Sequence, residues 1–312
     1  MARAQGARAQ MLLAFESVYG TAPASGYTRI PFASTTLGEE QGLVDNELLG
    51  YGRDPLTPSR DVITVDGDLV LPIDVHATGF WLKGLLGAPT TTGTTPKIHT
   101  FQSGALTLPS LALEKGLPEI PTFEMFTGCV VDKIAFNQQR RGPLQMTATV
   151  VGQGMARAGS SAGGTPSDIT VQRFSHFQGA VKRNGSDLAS IVSTDFTYSN
   201  NLDRIEVIRA DGKIDGADPS IASLGGSLVA RLADTTLLDQ ATNGTTCSLE
   251  FSWTISANLK LVITAHEVHL PRPKTEISGP GGIQCTFAWQ AAKASSPARM
   301  MTAVLTNAVA SY

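Results

Sequence analysis

The sequence is short of charge, sulfur and long apolar runs, and each shortage excludes something. Charged residues make up 16% of the 312 residues against 42% hydrophobic, which excludes a charge-rich disordered chain and leaves enough apolar material for a core. Lys and Arg number 24 against 27 Asp and Glu, a net charge of −3. Without a basic excess to neutralise phosphates, a protein that grips nucleic acid is disfavoured. No window reaches about 18 consecutive apolar residues, so no membrane-spanning helix is expected. The N-terminal apolar run, Met11 to Phe15, breaks at Glu16 and is too short for a secretory signal core, so a cytoplasmic site of synthesis is expected. Three cysteines, Cys129, Cys247 and Cys285, are an odd number without close spacing, which argues against a disulfide framework.

Catalytic signatures are scarce as well. There is no P-loop, no G-x-G-x-x-G and no Cys-x-x-Cys. Gly159-Ser160-Ser161-Ala162-Gly163 fits the nucleophile pattern G-x-S-x-G, but it sits in a Gly/Ala/Ser-rich stretch with no helical pattern after it, so coincidence is the better reading. His266 and His269 lie three apart on an expected strand, which puts their rings on opposite faces, and Cys247 and Cys285 flank them only at long range; a metal site is not expected. Asp211, Asp215 and Asp218 suggest a calcium loop until Lys213 falls on a required oxygen ligand. No catalytic, cofactor-binding or metal-ligating residue is therefore assigned, and the chain is read as non-enzymatic.

What the sequence does contain is turn and strand signal, with 31 glycines and 17 prolines. In residues 61–75, Ile63, Val65, Leu69, Leu71, Ile73 and Val75 share one parity and Asp66, Asp68 and Asp74 the other, the period of a half-buried strand with an acidic wet face. Asp66-Gly67 is a possible turn between two short strands. A short helix follows, with Thr78 as N-cap candidate and Gly87 as stop. The second half repeats the plan: the segment from Gly67 resembles the one from Gly226, each followed by a helix candidate, and the strand from Leu144 resembles the one from Ile283. The second helix is expected between Asp234 and Asn243-Gly244. Both matches in the same order favour an ancestral duplication. The expected organisation is a first unit over 1–155, with an N-terminal arm and a loop at about 33–60, a Gly/Ala/Ser-rich linker over 156–170, and a second unit over 171–312.

The segments LLAFESVYGTAP, LGEEQGLVDNELLGYGRDPLTPSRDVITVDGDLVLPIDVHATGFWLKGLLG, IRADGKIDGADPSIASLGGSLVARLADTTLLDQATNGTTCSLEFSW and GPGGIQCTFAWQAA together resemble the major tail tube proteins of long-tailed, non-contractile bacteriophages. The resemblance implies a mainly β fold: β-sandwich or barrel-like tube domains, each with a short flanking helix, in two tandem copies. It also implies a structural virion protein of the phage tail, assembled in the host cytoplasm without a cofactor, whose rings stack into the conduit for genome ejection. Implied partners are other copies of the chain, a tape-measure protein, and tail terminator and distal tail proteins; genomic DNA passes through the lumen without specific binding, and no membrane is involved. With two units per chain, trimers of pseudo-sixfold symmetry are expected, otherwise hexamers, and the loop at about 33–60, like the N-terminal arm, is then expected to touch the next ring. In that setting Asp66, Asp68 and Asp74 are expected to face the lumen, although strand parity alone leaves an outer placement open. A contractile-tail or secretion-type tube protein and, from another class, a tail-displayed carbohydrate-binding module are the alternatives; the latter wants an aromatic platform, and aromatics are only 6%.

Overall fold

The computed structural model describes residues 3–277 and 279–312. Half of the chain is in strands and little in helix, the mainly β class that alternation and turn density predict. Seven principal strands fall in the first half: β1 (Gln10–Phe15), β2 (Gly38–Asn46), β3 (Leu56–Pro72), β4 (Leu111–Leu117), β5 (Thr122–Gln139), β6 (Gln145–Gly152) and β7 (Gly154–Ala158). Seven fall in the second: β8 (Gly179–Arg183), β9 (Ile191–Ser199), β10 (Ser223–Arg231), β11 (Cys247–Ser256), β12 (Leu259–His269), β13 (Gln284–Ala292) and β14 (Met301–Asn307). A helix follows the third strand of each set, α1 (Thr78–Leu86) and α2 (Thr236–Asn243).

The two sets pair alike. In the first, β1–β4, β4–β5, β5–β7, β5–β6, β6–β3 and β3–β2 are antiparallel ladders. In the second, the corresponding ladders are β8–β11, β11–β12, β12–β14, β12–β13, β13–β10 and β10–β9. Register agrees residue for residue where the sequence matches lie. Leu71↔Met146, Val70↔Thr147 and Leu69↔Ala148 reappear as Ala230↔Cys285, Val229↔Thr286 and Leu228↔Phe287. Register is fixed because a one-residue slip would turn every buried side chain outward. The hairpin Thr90–Thr92/Lys97–Gln102, which pairs with β14, is an addition of the first half.

The long strands of the two sets are joined where β5 pairs with β9, with Phe136 opposite Phe196. Their rings stack at 4.8 Å, and Phe196 stacks in turn on Phe251 at 4.4 Å. The main core cluster runs through both halves and includes Trp81, Trp253 and Trp289. Burying each such ring is worth about 1.5–3 kcal/mol, with about 0.5–1.5 kcal/mol more for a stacked pair.

Three local features differ from the sequence reading. β3 runs unbroken through Asp66-Gly67 instead of turning there. Glycine is needed at that point because a Cβ would lie 2.5 Å from the Leu37 backbone, where the neighbouring segment crosses. α1 begins at Thr78 itself, and Asp74 satisfies the amides ahead of it: Oδ1 accepts from His76 N at 2.8 Å and Ala77 N at 2.9 Å. The stretch 156–170 is docked along β4, where Glu114, 1% exposed, accepts from Ser161 Oγ at 2.5 Å and Ala162 N at 2.6 Å. α2 matches expectation more closely, with Asp234 Oδ1 accepting from Thr236 N at 2.9 Å and Gly244 left-handed at φ 65°.

Candidate functional site

The strands β3, β6, β5, β9, β10 and β13 lie side by side in that order and share one continuous wet face. Alternation assigns each residue to a side. On β13, Cys285, Phe287, Trp289 and Ala291 are buried while Gln284, Thr286, Ala288 and Gln290 are exposed. On β9, Thr194, Phe196 and Tyr198 are buried and Asp195 faces out. On β6 and β5 the same side carries Thr147, Thr149, Lys133 and Asn137. The face is therefore hydroxyl- and amide-rich, with few charges. It includes a hollow of about 490 Å³ floored by Val70, Ala135, Asn137, Thr147, Asp195 and Thr197.

Its carboxylates are held by neighbouring strands. Asp68 accepts a hydrogen bond from the Thr149 hydroxyl directly across the ladder, and its amide donates to Thr36 Oγ1 at 2.9 Å. Asp195 accepts from the Ser227 hydroxyl, also its cross-strand partner. Asp66 pairs with Arg204 at 2.6 Å, its side chain about half exposed. Lys133 sits opposite Thr149 on one side and Ser199 on the other. Hydroxyl donors facing carboxylates fix the rotamers of both, so this is a wall of placed charge and neutral polar groups. No hydroxyl on it is bonded to a histidine among the described residues.

Of the three aspartates singled out in the sequence, Asp66 and Asp68 reach this face and Asp74 does not. Asp74 is fully buried, and its second oxygen accepts from Gln172 N. The alternation rule misplaces it because β3 ends at Pro72; beyond a strand's end, parity carries no information about side. Asp195, Lys133 and Arg204 were missed. Alternation within IVSTDFTYS over 191–199 could have found Asp195, whereas the Arg204–Asp66 pair joins residues that only the fold brings together.

The other motifs dissolve into structure. Ser161 lies on no strand-to-helix elbow; its hydroxyl donates to Glu114 and accepts from Gly163 N at 3.2 Å. His266 bonds Thr302 at 2.8 Å and His269 lies 3.5 Å from Glu267, while Cys247 and Cys285 are buried free thiols. The Asp211 loop is closed by Arg209, which bonds Asp211 and Asp215. Groups with shifted acid–base behaviour lie away from the wet face: burial pushes the Glu16 carboxyl and the Cys129 thiol up, and the His99 and His266 imidazoles down.

No curated protein matches the sequence. The family model of phage tail tube proteins matches residues 6–291, nearly the whole chain, and the chain belongs to that family.

Proposed function

We propose that three copies of this chain close a ring in which each copy supplies two tube units, approximately 1–155 and 171–312 joined through 156–170, and that stacked rings form the conduit through which the genome leaves the virion. The observation that carries the proposal is the β5–β9 ladder. Within one chain the last inner strand of the first unit pairs with the first inner strand of the second. If units repeat around a ring, the same seam must form between chains.

The free edges have the matching parts. Among the described residues β2 pairs only with β3, leaving its other side open. At the far end of the sheet the chain leaves β12 at His269, opposite Gln290. Continuing that register puts Lys274 opposite Cys285, as Phe136 lies opposite Met146 in the first unit. The Lys274 carbonyl is indeed 3.8 Å from the Cys285 sulfur. Pro271 and Pro273 lack the amide hydrogens of a regular ladder, which accounts for residues 271–277 being unassigned to a strand. Pairing this segment with the 34–40 segment of the next copy would remove both open edges.

On this reading the wet face lines the lumen. Asp66, Asp68 and Asp195 present carboxylates to a passing duplex, and hydroxyl and amide groups supply the rest. A wall that neutralised phosphates would retain DNA through counterion release; here Lys133 stands beside Thr149, whose hydroxyl is held by Asp68, and Asp195 adds a further carboxylate. A tape-measure protein would occupy the lumen during assembly, with terminator and distal tail proteins capping the two ends. Electron cryomicroscopy of assembled tubes tests the stoichiometry. Three chains per ring around a near-sixfold lumen is the expected result, and six chains per ring would overturn it.

A further inference from the structure

The seam within the chain holds a polar contact whose counterpart at the outer edges is unfilled. Asn200, directly after β9, is 4% exposed. Its Nδ2 donates to two carbonyls of the first unit, Leu85 near the end of α1 and Val131 on β5, both at 3.0 Å. One carboxamide thus ties the second unit to a helix end and a strand of the first, and it satisfies carbonyls that burial would leave orphaned.

Ladder register locates the same parts where one chain would meet the next. Gly38 lies opposite Asp66 as Thr197 lies opposite Gly225, so Gln41, three residues past Gly38, holds the place of Asn200. On the other side, Val150 lies opposite Val131 and corresponds to Trp289, just as Met146 corresponds to Cys285. Continuing the His269↔Gln290 register sets Leu270 opposite Trp289, in the place of Val131. Around Leu270 is an open hollow of about 470 Å³, with Gly244 at the end of α2, Pro271, Trp289 and Gln290 in its walls. Among the described residues no donor reaches the Leu270 carbonyl, and the Trp289 indole N–H is buried without a partner. An acceptor and a donor that lack partners in one hollow complement the N–H and C=O of a primary amide. Thr242, which matches Leu85 at the helix end, already has its carbonyl covered by Arg272 at 2.9 Å. Gln41 is exposed in the chain, and its amide rests on the Asp61 carbonyl at 2.8 Å.

We propose that this hollow is a carboxamide socket, filled by Gln41 of the neighbouring copy in the same ring. The inference rests on the ring reading and adds a key that fixes the register between chains. The Gln41 amide donates to the Leu270 carbonyl, and its carbonyl accepts from the Trp289 indole. A slip of one residue presents instead Glu40, whose carboxylate has no N–H for Leu270, or Gly42, which has no side chain. Within the chain, connectivity limits which strands meet; between chains, an edge strand needs a device that selects one register and penalises the others.

Near-isosteric Gln41→Glu, with Gln41→Ala beside it, tests the socket in tails assembled in cells from the full chain. Each should lower the amount of chain recovered in tubes about ten-fold and leave the melting temperature of the free chain unchanged, whereas Asn200→Ala should lower that temperature. Trp289→Phe should also reduce recovery, and its combination with Gln41→Ala should lose no more than either change alone, as expected of two groups that act on each other. Normal recovery from Gln41→Glu, or losses that simply add, would overturn the socket. The seam is checked separately with Glu40→Cys and Pro271→Cys together, positions that would face each other as Ser199 faces Lys133 within the chain. Because the natural cysteines are buried, cross-linked chains on oxidation report that ladder alone. Cross-linking with no effect of Gln41→Glu removes the socket and keeps the ring; absence of cross-linking removes both.

Discussion

Asp74 shows how much a single carboxylate can hold. Fully buried, it accepts from the amides of His76, Ala77 and Gln172, and its own amide donates to Thr78 Oγ1 at 3.0 Å. It therefore ends β3, starts α1 and ties both to the chain after residue 170. Asp74→Ala leaves buried amides without acceptors and should cost about 3 kcal/mol or more, with Asp74→Asn milder because one carbonyl remains. Urea unfolding should show a lower midpoint at unchanged slope. A midpoint within error of the unaltered protein would refute the role. The sequence offered Asp74 as a surface charge because it continues the parity of Asp66 and Asp68. Only the strand end at Pro72 and the distant Gln172 reveal the buried acceptor.

At the scale of elements, the third strand of each half passes so close to its neighbour that one position admits no side chain. A Cβ on Gly67 would meet the Leu37 backbone at 2.5 Å, and one on the equivalent Gly226 would meet the Asp195 carbonyl oxygen at 2.0 Å. Gly67→Ala and Gly226→Ala should each cost about 1–3 kcal/mol, the range for overpacked sites. Gly6→Ala, where a Cβ meets nothing within 4 Å, should leave the melting temperature unchanged. Equal melting temperatures for all three variants would contradict the close approach. Strand alternation, both helices and the order of the repeated segments were legible because they depend on local periodicity. The unbroken course of β3 and the docking of 156–170 were not. The first depends on Leu37 crossing at Gly67, the second on Glu114 meeting Ser161, contacts between segments far apart in the chain.

For the whole molecule, the proposed lumen makes a prediction about what a passing duplex would meet on the wet face. Replacing Asp66, Asp68 and Asp195 with lysine removes the carboxylates of Asp68 and Asp195, breaks the Asp66–Arg204 pair and adds three cations that can release counterions from phosphates. Tubes should still assemble, since none of the three is a core residue, while genome ejection should slow, most strongly at low salt. Single-virion ejection followed by DNA dye release measures this. Normal tubes with unchanged kinetics at low salt would show that the face does not line the conduit. That a tail tube protein was legible at all came from order and extent across the chain, since no single motif carries chemistry.

The β5–β9 ladder has one more consequence, for assembly rates. Since half of the seams in a ring of such units are already formed within the chain, their partners meet at an effective concentration that dilution cannot lower. In the proposed trimeric ring, closure would need three bodies to meet rather than six, so its rate would fall less steeply with subunit concentration than that of a ring built from single units. On the same proposal each free chain would expose one unpaired sheet edge of each kind where two separate units would expose two, which would halve the sticky perimeter during the interval before a tail begins to grow.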